Sequence, residues 1–239
     1  MTLVLVVTDR RQSEAAGRPI VDTVAAALAG GAGAVLLREK DLPAPERGAL
    51  AADIRALAAR ADAALVVASD VALAARVGAD GVHLASADPW PDDDRLGWLD
   101  GDLRWPGGVS RSCHTEADLR EAQARGAQWV TYSPVFATGS KPGYGPALGV
   151  DGLAAGCRLV PDLPVAALGG IDRTNAGACA EAGAGFLAVM GAVMRARDPA
   201  ATVAAIDDEI VAALEPLAGP PAIHAGGHLT AEVDGGGDR

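Results

Sequence analysis

Apolar residues in this chain fall into short unbroken runs separated by alanine-rich stretches with a helical period. The runs are Leu3–Thr8, Val35–Leu37, Ala64–Ala68, Val82–Leu84, Gly108–Ser112, Val130–Tyr132, Pro164–Leu168 and Leu187–Val189. Runs of this length without alternation predict strands buried on both faces, the habit of a parallel sheet. Between them, Leu50, Ile54 and Leu57 share one helical face, as do Val203, Ile206, Ile210 and Leu214. Thr115-x-x-Asp118 predicts a helix start ahead of Leu119 and Ala122, because each side chain can satisfy a free backbone N–H of the first turn.

One junction recurs. Gly-Ala, two residues and then an apolar run appear at Gly31-Ala32, Gly78-Ala79, Gly126-Ala127 and Gly183-Ala184, spaced 47, 48 and 57 residues apart. Each glycine closes a helical segment, where a left-handed residue is common, and a short connection leads into the next strand. A spacing near 48 accommodates two strand–helix units, which brings the strand count to eight. The pattern predicts an α/β fold, a (β/α)8 TIM barrel over residues 1–218, with a Gly- and Pro-rich tail over 219–239. An open, doubly wound sheet shows the same alternation; the even run of the repeat favours the barrel. The weakest helix signal is 86–107, interrupted by Pro89, Pro91, Gly97 and Pro106.

Composition narrows the class. Half of the 239 residues are hydrophobic, enough for a large core, and the formal net charge of −11 argues against a nucleic-acid or anionic-membrane partner. Cys113, Cys157 and Cys179 lie far apart without a CxxC, so reduced thiols and a cytoplasmic setting are expected. Leu3–Val7 lacks a basic flank and reads as a first strand, and no apolar run approaches membrane-spanning length. Homo-oligomerisation is left open.

The candidate chemistry sits after the strands, where barrel enzymes carry their active sites. Strand two ends in Arg38-Glu39-Lys40, strand three in Ser69-Asp70, strand four shortly before Asp88, and strand five in Ser112. Strand six leads into Ser133-Pro134-Val135-Phe136-Ala137-Thr138-Gly139-Ser140-Lys141, strand seven into Gly169-Gly170-Ile171, and strand eight into Met190-Gly191. Arginine and lysine beside hydroxyls and glycine N–H groups suit phosphate, and Asp70 with Asp88 supplies hard oxygen donors for Mg²⁺. Two anion sites result, one metal-assisted and one built mostly from backbone. Each group also has a plainer reading: a surface charge cluster for 38–40, an N-cap for Asp70, a loop carboxylate for Asp88 and a simple turn for Gly169-Gly170. Their joint placement at successive strand ends favours the functional reading. His83 reads as a core residue or one low in the barrel. Cys113 and His114 are adjacent on a strand and point to opposite faces. His224 and His228 lack a third ligand.

On Val6–Arg10, Leu37–Lys40, Gly78–Leu84, Pro134–Thr138 and Leu168–Ile171, the sequence resembles the family of thiamine phosphate synthase and its relative, the thiazole tautomerase. The resemblance covers residue 5 to about residue 195 and implies an Mg²⁺-dependent transferase. Such an enzyme joins an aminopyrimidine diphosphate to a thiazole phosphate and releases pyrophosphate. It implies catalytic roles for Arg38, Lys40, Ser112 and Lys141 at the pyrimidine diphosphate, and Mg²⁺ ligation by Asp70 and Asp88. Thr138 and Gly170 match contacts to the thiazole phosphate. The substrate-binding set then comprises Leu36, Leu37, Arg38, Glu39, Lys40, Ser69, Ser112, Thr138, Gly139, Ser140, Lys141, Gly170, Met190 and Gly191.

Four positions depart from the family pattern. Leu36 stands for a glutamine near the pyrimidine, Ser69 for an asparagine, Ser140 for a threonine, and Gly191 for a serine near the thiazole phosphate. The tautomerase places its acid–base histidine where this chain has Pro134, which cannot transfer a proton, and does not need the two aspartates. The synthase is therefore favoured, with the tautomerase and a non-catalytic binder of the same phosphates as alternatives.

Overall fold

The structure, a computed structural model, describes residues 3–92, 96, 99, 106–138 and 146–215. Its strands are β1 (Val4–Val7), β2 (Ala34–Leu37), β3 (Ala64–Ala68), β4 (Gly81–Leu84), β5 (Gly108–Cys113), β6 (Trp129–Tyr132), β7 (Val165–Leu168) and β8 (Phe186–Val189). Each pairs in parallel with its neighbour in sequence, and β8 returns to β1 with Leu5 opposite Ala188 and Val6 opposite Val189. That last pairing closes the sheet and separates a barrel from an open, doubly wound sheet.

The helices are α1 (Arg10–Ala15), α2 (Ile20–Ala29), α3 (Ala44–Arg60), α4 (Val71–Val77), α5 (Glu116–Ala124), α6 (Gly149–Leu159), α7 (Ala176–Glu181), α8 (Gly191–Met194) and α9 (Pro199–Leu214). The four glycines of the repeat all have positive φ, from 61° at Gly78 to 97° at Gly31, a region that a side chain would strain. At Thr115 the capping box forms in full, with Thr115 accepting from the Asp118 N–H and Asp118 accepting from the Thr115 N–H. Residues 85–92, after β4, carry no helix, in keeping with the prolines there. The predicted tail, 219–239, lies outside the described residues, as do 216–218.

Two cores follow from strand alternation. Outward residues, among them Val35, Leu37, Leu65, Val67, Val130 and Leu187, pack under the helices. Each such side chain contributes roughly 1.5–3 kcal/mol by leaving water. Inward residues are mostly small: Ala34, Ala64, Ala68, Ala166 and Ala188, with Trp129 and Phe186 filling the lower barrel. Trp129 stacks on His83 at 5.0 Å and meets the edge of Phe186 at 5.2 Å. The aromatic rings thus plug the base while alanines near the top leave room for a ligand.

Candidate active site

That room is a cavity of about 850 Å³ at the C-terminal ends of the strands. Inward residues Val7, Leu36, Ala68, His83, Ser112, Leu168 and Ala188 line it from below. Arg38, Lys40, Thr138, Gly170, Met190 and Gly191 reach it from the loops above. Eight of the expected site residues therefore converge on the cavity, whereas Ser69, Asp70 and Asp88 are not among those that line it.

Alternation beyond β2 sorts the Leu36–Lys40 segment. Leu36, Arg38 and Lys40 line the cavity. The side chains of Leu37 and Glu39, also expected among the substrate contacts, do not line it. Leu37 is fully buried in the outer core. Glu39 is 4% exposed and accepts from the Arg10 backbone N–H and from Arg10 Nη1, both at 3.0 Å. Its function is to tie the β2 and β1 loops together. The Arg38 N–H donates to buried Thr8 Oγ1 at 2.9 Å, which fixes the backbone from which the arginine projects.

Lys40 Nζ donates to Ser69 Oγ at 2.5 Å, and Ser69 Oγ donates in turn to Asp88 Oδ2. The Ala85 N–H also donates to Asp88 Oδ2, at 2.7 Å. Burial acts to raise the Asp88 carboxyl, but these hydrogen bonds, with Lys40 and Arg111 nearby, outweigh it and hold the group below its ordinary range. Asp70 is the N-cap of α4, its Oδ1 accepting from the Leu73 N–H at 2.9 Å, as the plainer reading had it. Its Oδ2 accepts from Arg47 Nη1 at 3.3 Å, while Arg47 Nη2 donates to the Ala68 carbonyl at 2.6 Å. These two bonds use about half the lone-pair sites of a carboxylate. Among the described residues no three His, Cys, Asp or Glu gather as a complete metal cage. Asp70 and Asp88 each offer a hard carboxylate of the kind Mg²⁺ takes together with water and substrate phosphate.

On β5, Ser112 Oγ lies 2.9 Å from His83 Nε2, and Ser110 Oγ lies 2.9 Å from His83 Nδ1. His83 is a core residue, as expected, yet its ring also lines the cavity floor. Burial, reinforced by Lys40, lowers its pKa to about 3, so the ring is neutral at physiological pH.

Across the cavity, the loops after β6, β7 and β8 meet. Gly169 and Gly170 have φ of 102° and 67°. A Cβ on Gly170 would come within 2.7 Å of the Ala137 carbonyl oxygen and of Phe136 Cβ, so the close approach of the Thr138 loop requires glycine there. Gly139, Ser140 and Lys141 lie outside the described residues.

Asp9, His114, Ser133 and Arg195 also line the cavity and were not among the expected site residues. Alternation could have found two of them, since Asp9 follows Val7 and His114 follows Ser112 by two positions. The His114 ring is placed by Nδ1, 2.8 Å from the Ser133 carbonyl oxygen. Cys113 faces the other way, fully buried, and burial pushes its thiol up to about 12.

A closed (β/α)8 barrel with Arg38, Lys40 and Arg195, two hydroxyls at Ser112 and Thr138, and glycine-lined loops around one cavity defines an enzyme-like site for phosphorylated small molecules. The family model described as thiamine monophosphate synthase matches residues 4–193, and the chain belongs to that family. A thiamine-phosphate synthase of Roseiflexus castenholzii is 40% identical over 207 residues, 86% of this chain and 87% of the relative. One from Moorella thermoacetica is 40% identical over 186 residues, 77% of this chain and 85% of the relative. Among solved structures, thiamine phosphate pyrophosphorylase from Pyrococcus furiosus superposes with a TM-score of 0.73 at 29% identity, covering 88% of this chain and 96% of that one.

Proposed function

We propose that this chain is a transferase that joins an aminopyrimidine diphosphate to a thiazole phosphate, giving thiamine phosphate and pyrophosphate. The observation that carries the reading is one cavity with two ends suited to anions: Arg38 and Lys40 on one side, with Lys40 held by Ser69 behind it, and Thr138, Gly170 and Gly191 on the other. Two phosphorylated substrates placed at those ends bring their rings together over the floor formed by Leu36, Ala68 and Ala188. Family membership and the relatives' names support the same reaction.

In this reading the carbon–oxygen bond to the diphosphate breaks, the pair of electrons leaves with pyrophosphate, and the thiazole nitrogen forms the new carbon–nitrogen bond. Arg38 and Lys40 hold the departing oxygens and stabilise charge as it develops. Lys141, which lies outside the described residues, is proposed to join them. Ser112, held by His83, orients the pyrimidine. Leu168 and Leu36 exclude water from the cationic carbon. Asp70 and Asp88 would hold Mg²⁺, which supplies charge neutralisation to the leaving group when bound. The three free thiols fit a reducing compartment, and we place the protein in the cytoplasm. Among the described residues no helix is long and apolar enough to cross a membrane.

The tautomerase reading is weaker, because Pro134 lines the cavity where an acid–base group would be needed. The assignment is tested with Asp70→Ala and Lys141→Ala. Both variants are expected to keep the wild-type circular dichroism spectrum and to lose turnover. Near-normal turnover in either would overturn the site.

A further inference from the structure

We infer that Arg195 is a direct ligand of the phosphate on the thiazole substrate, reaching it across the bare backbone of Gly191. The inference rests on the proposed function and adds a residue to it. Gly170 and Gly191 open the loops after β7 and β8, where (β/α)8 barrels recurrently bind phosphate. Arg195 lines the same end of the cavity. Its guanidinium lies so close over Gly191 that a Cβ there would collide with Nη1 and stand 2.9 Å from Cζ. A side chain at position 191 and the guanidinium of Arg195 compete for one space, and in this chain the arginine has it.

The guanidinium is also held in place. Arg195 Nη1 donates to Gln12 Oε1. Gln12 Nε2 donates to Asp9 Oδ2 at 2.7 Å, which turns the amide so that its oxygen faces the arginine. Asp9 is itself fixed as the N-cap of α1. The segment carrying Arg195 is pinned from below, where Arg18 Nη2 donates to the carbonyls of Ala196 at 3.2 Å and Arg197 at 2.9 Å. Gln12 takes one of the five donors of a planar fork, and a fork of this kind matches two phosphate oxygens at once. A purely structural tie between α1 and α8 would not need the arginine to face the cavity. Such a tie would also be indifferent to whether the ligand carries a phosphate.

Calorimetric titration of the full chain with thiazole phosphate, and with the dephosphorylated thiazole alcohol, tests the inference. Arg195→Gln is expected to weaken thiazole phosphate binding about 10- to 100-fold, the range for losing charge-assisted hydrogen bonds, and to leave the alcohol unchanged. Gly191→Ser alone is expected to weaken binding by displacing the guanidinium. In the Arg195→Gln background the same serine has room, and is expected to restore part of the affinity. Equal loss for phosphate and alcohol, or tighter binding by Gly191→Ser alone, would overturn the role of Arg195. Wild-type protein that fails to bind thiazole phosphate would sink the proposed function together with this inference. Wild-type binding that Arg195→Gln retains would sink the Arg195 assignment alone.

Discussion

His83 Nε2 stands 2.9 Å from Ser112 Oγ, and this contact decides what Ser112 can offer a substrate. Ser110 Oγ donates to the Val82 carbonyl at 3.2 Å and so can only accept from His83 Nδ1. The ring proton therefore sits on Nδ1, an assignment made from the hydrogen-bond network. Nε2 then accepts, and Ser112 Oγ at 2.9 Å is placed closer to it than Thr131 Oγ1 at 3.4 Å. With its proton committed to the ring, the Ser112 oxygen presents lone pairs to the cavity, as a partner for an amino group on the pyrimidine. Ser112→Ala should raise KM for the pyrimidine diphosphate about 10-fold and leave KM for the thiazole phosphate unchanged. Steady-state kinetics with each substrate varied in turn checks this, and equal effects on both would contradict it.

The neutral His83 ring makes stability depend on pH. In the unfolded chain a histidine takes up a proton near pH 6.5, whereas the folded ring resists protonation down to about 3. Unfolding therefore binds a proton between those values, and stability falls as pH falls through the window. Melting temperatures measured from pH 6.5 to 4.5 should drop more steeply for wild type than for His83→Gln. Parallel curves would contradict the buried, neutral assignment.

Arg111 positions Asp88 without touching its carboxylate. It donates from Nη1 to the Asp88 carbonyl at 2.9 Å and from Nη2 to the Ser86 carbonyl at 2.6 Å, with Trp90 stacked 4.9 Å away. If Asp88 holds Mg²⁺ as proposed, removing such outer support is expected to cost about 10-fold or more in metal affinity. Arg111→Met should raise the Mg²⁺ concentration for half-maximal activity about 10-fold. Arg111→Lys should recover little, because an ammonium cannot span both carbonyls. An unchanged Mg²⁺ titration would contradict the role.

Ser69 combines a strained backbone with a bridging hydroxyl. Its φ is 60°, in the left-handed region, and its Oγ links Lys40 to Asp88. The two properties separate by mutation. Ser69→Gly relieves the backbone and should be about 1 kcal/mol more stable than Ser69→Ala. Both lose the bridge and should show the same several-fold rise in KM for the diphosphate. Denaturant unfolding beside kinetics checks the pair; a Ser69→Gly variant with wild-type KM would contradict the bridge.

Much of this was legible in the sequence because barrel physics is repetitive. Gly31, Gly78, Gly126 and Gly183 mark the ends of successive helices, and their spacing located the strands. The pairing of β1 with β8 is a long-range closure that no local pattern encodes. Within Leu36–Lys40 the pleat turns the Leu37 and Glu39 side chains away from the cavity, a division that a contiguous motif does not show. Ser69 was seen as a changed side chain, but its left-handed φ is a tertiary constraint. That conformation supplies a reason for asparagine at this position in the family pattern, since asparagine tolerates that region well. Arg195 follows a four-residue helix, too short to leave a periodic signal, and its place over Gly191 emerges only from coordinates.

Incubating the full chain with aminopyrimidine diphosphate, thiazole phosphate and Mg²⁺, and measuring thiamine phosphate with and without a chelator, tests the transferase reading. Thiamine phosphate and pyrophosphate are expected in equal amounts, with formation abolished by the chelator. Folded protein that yields no thiamine phosphate in the presence of Mg²⁺ would contradict that reading.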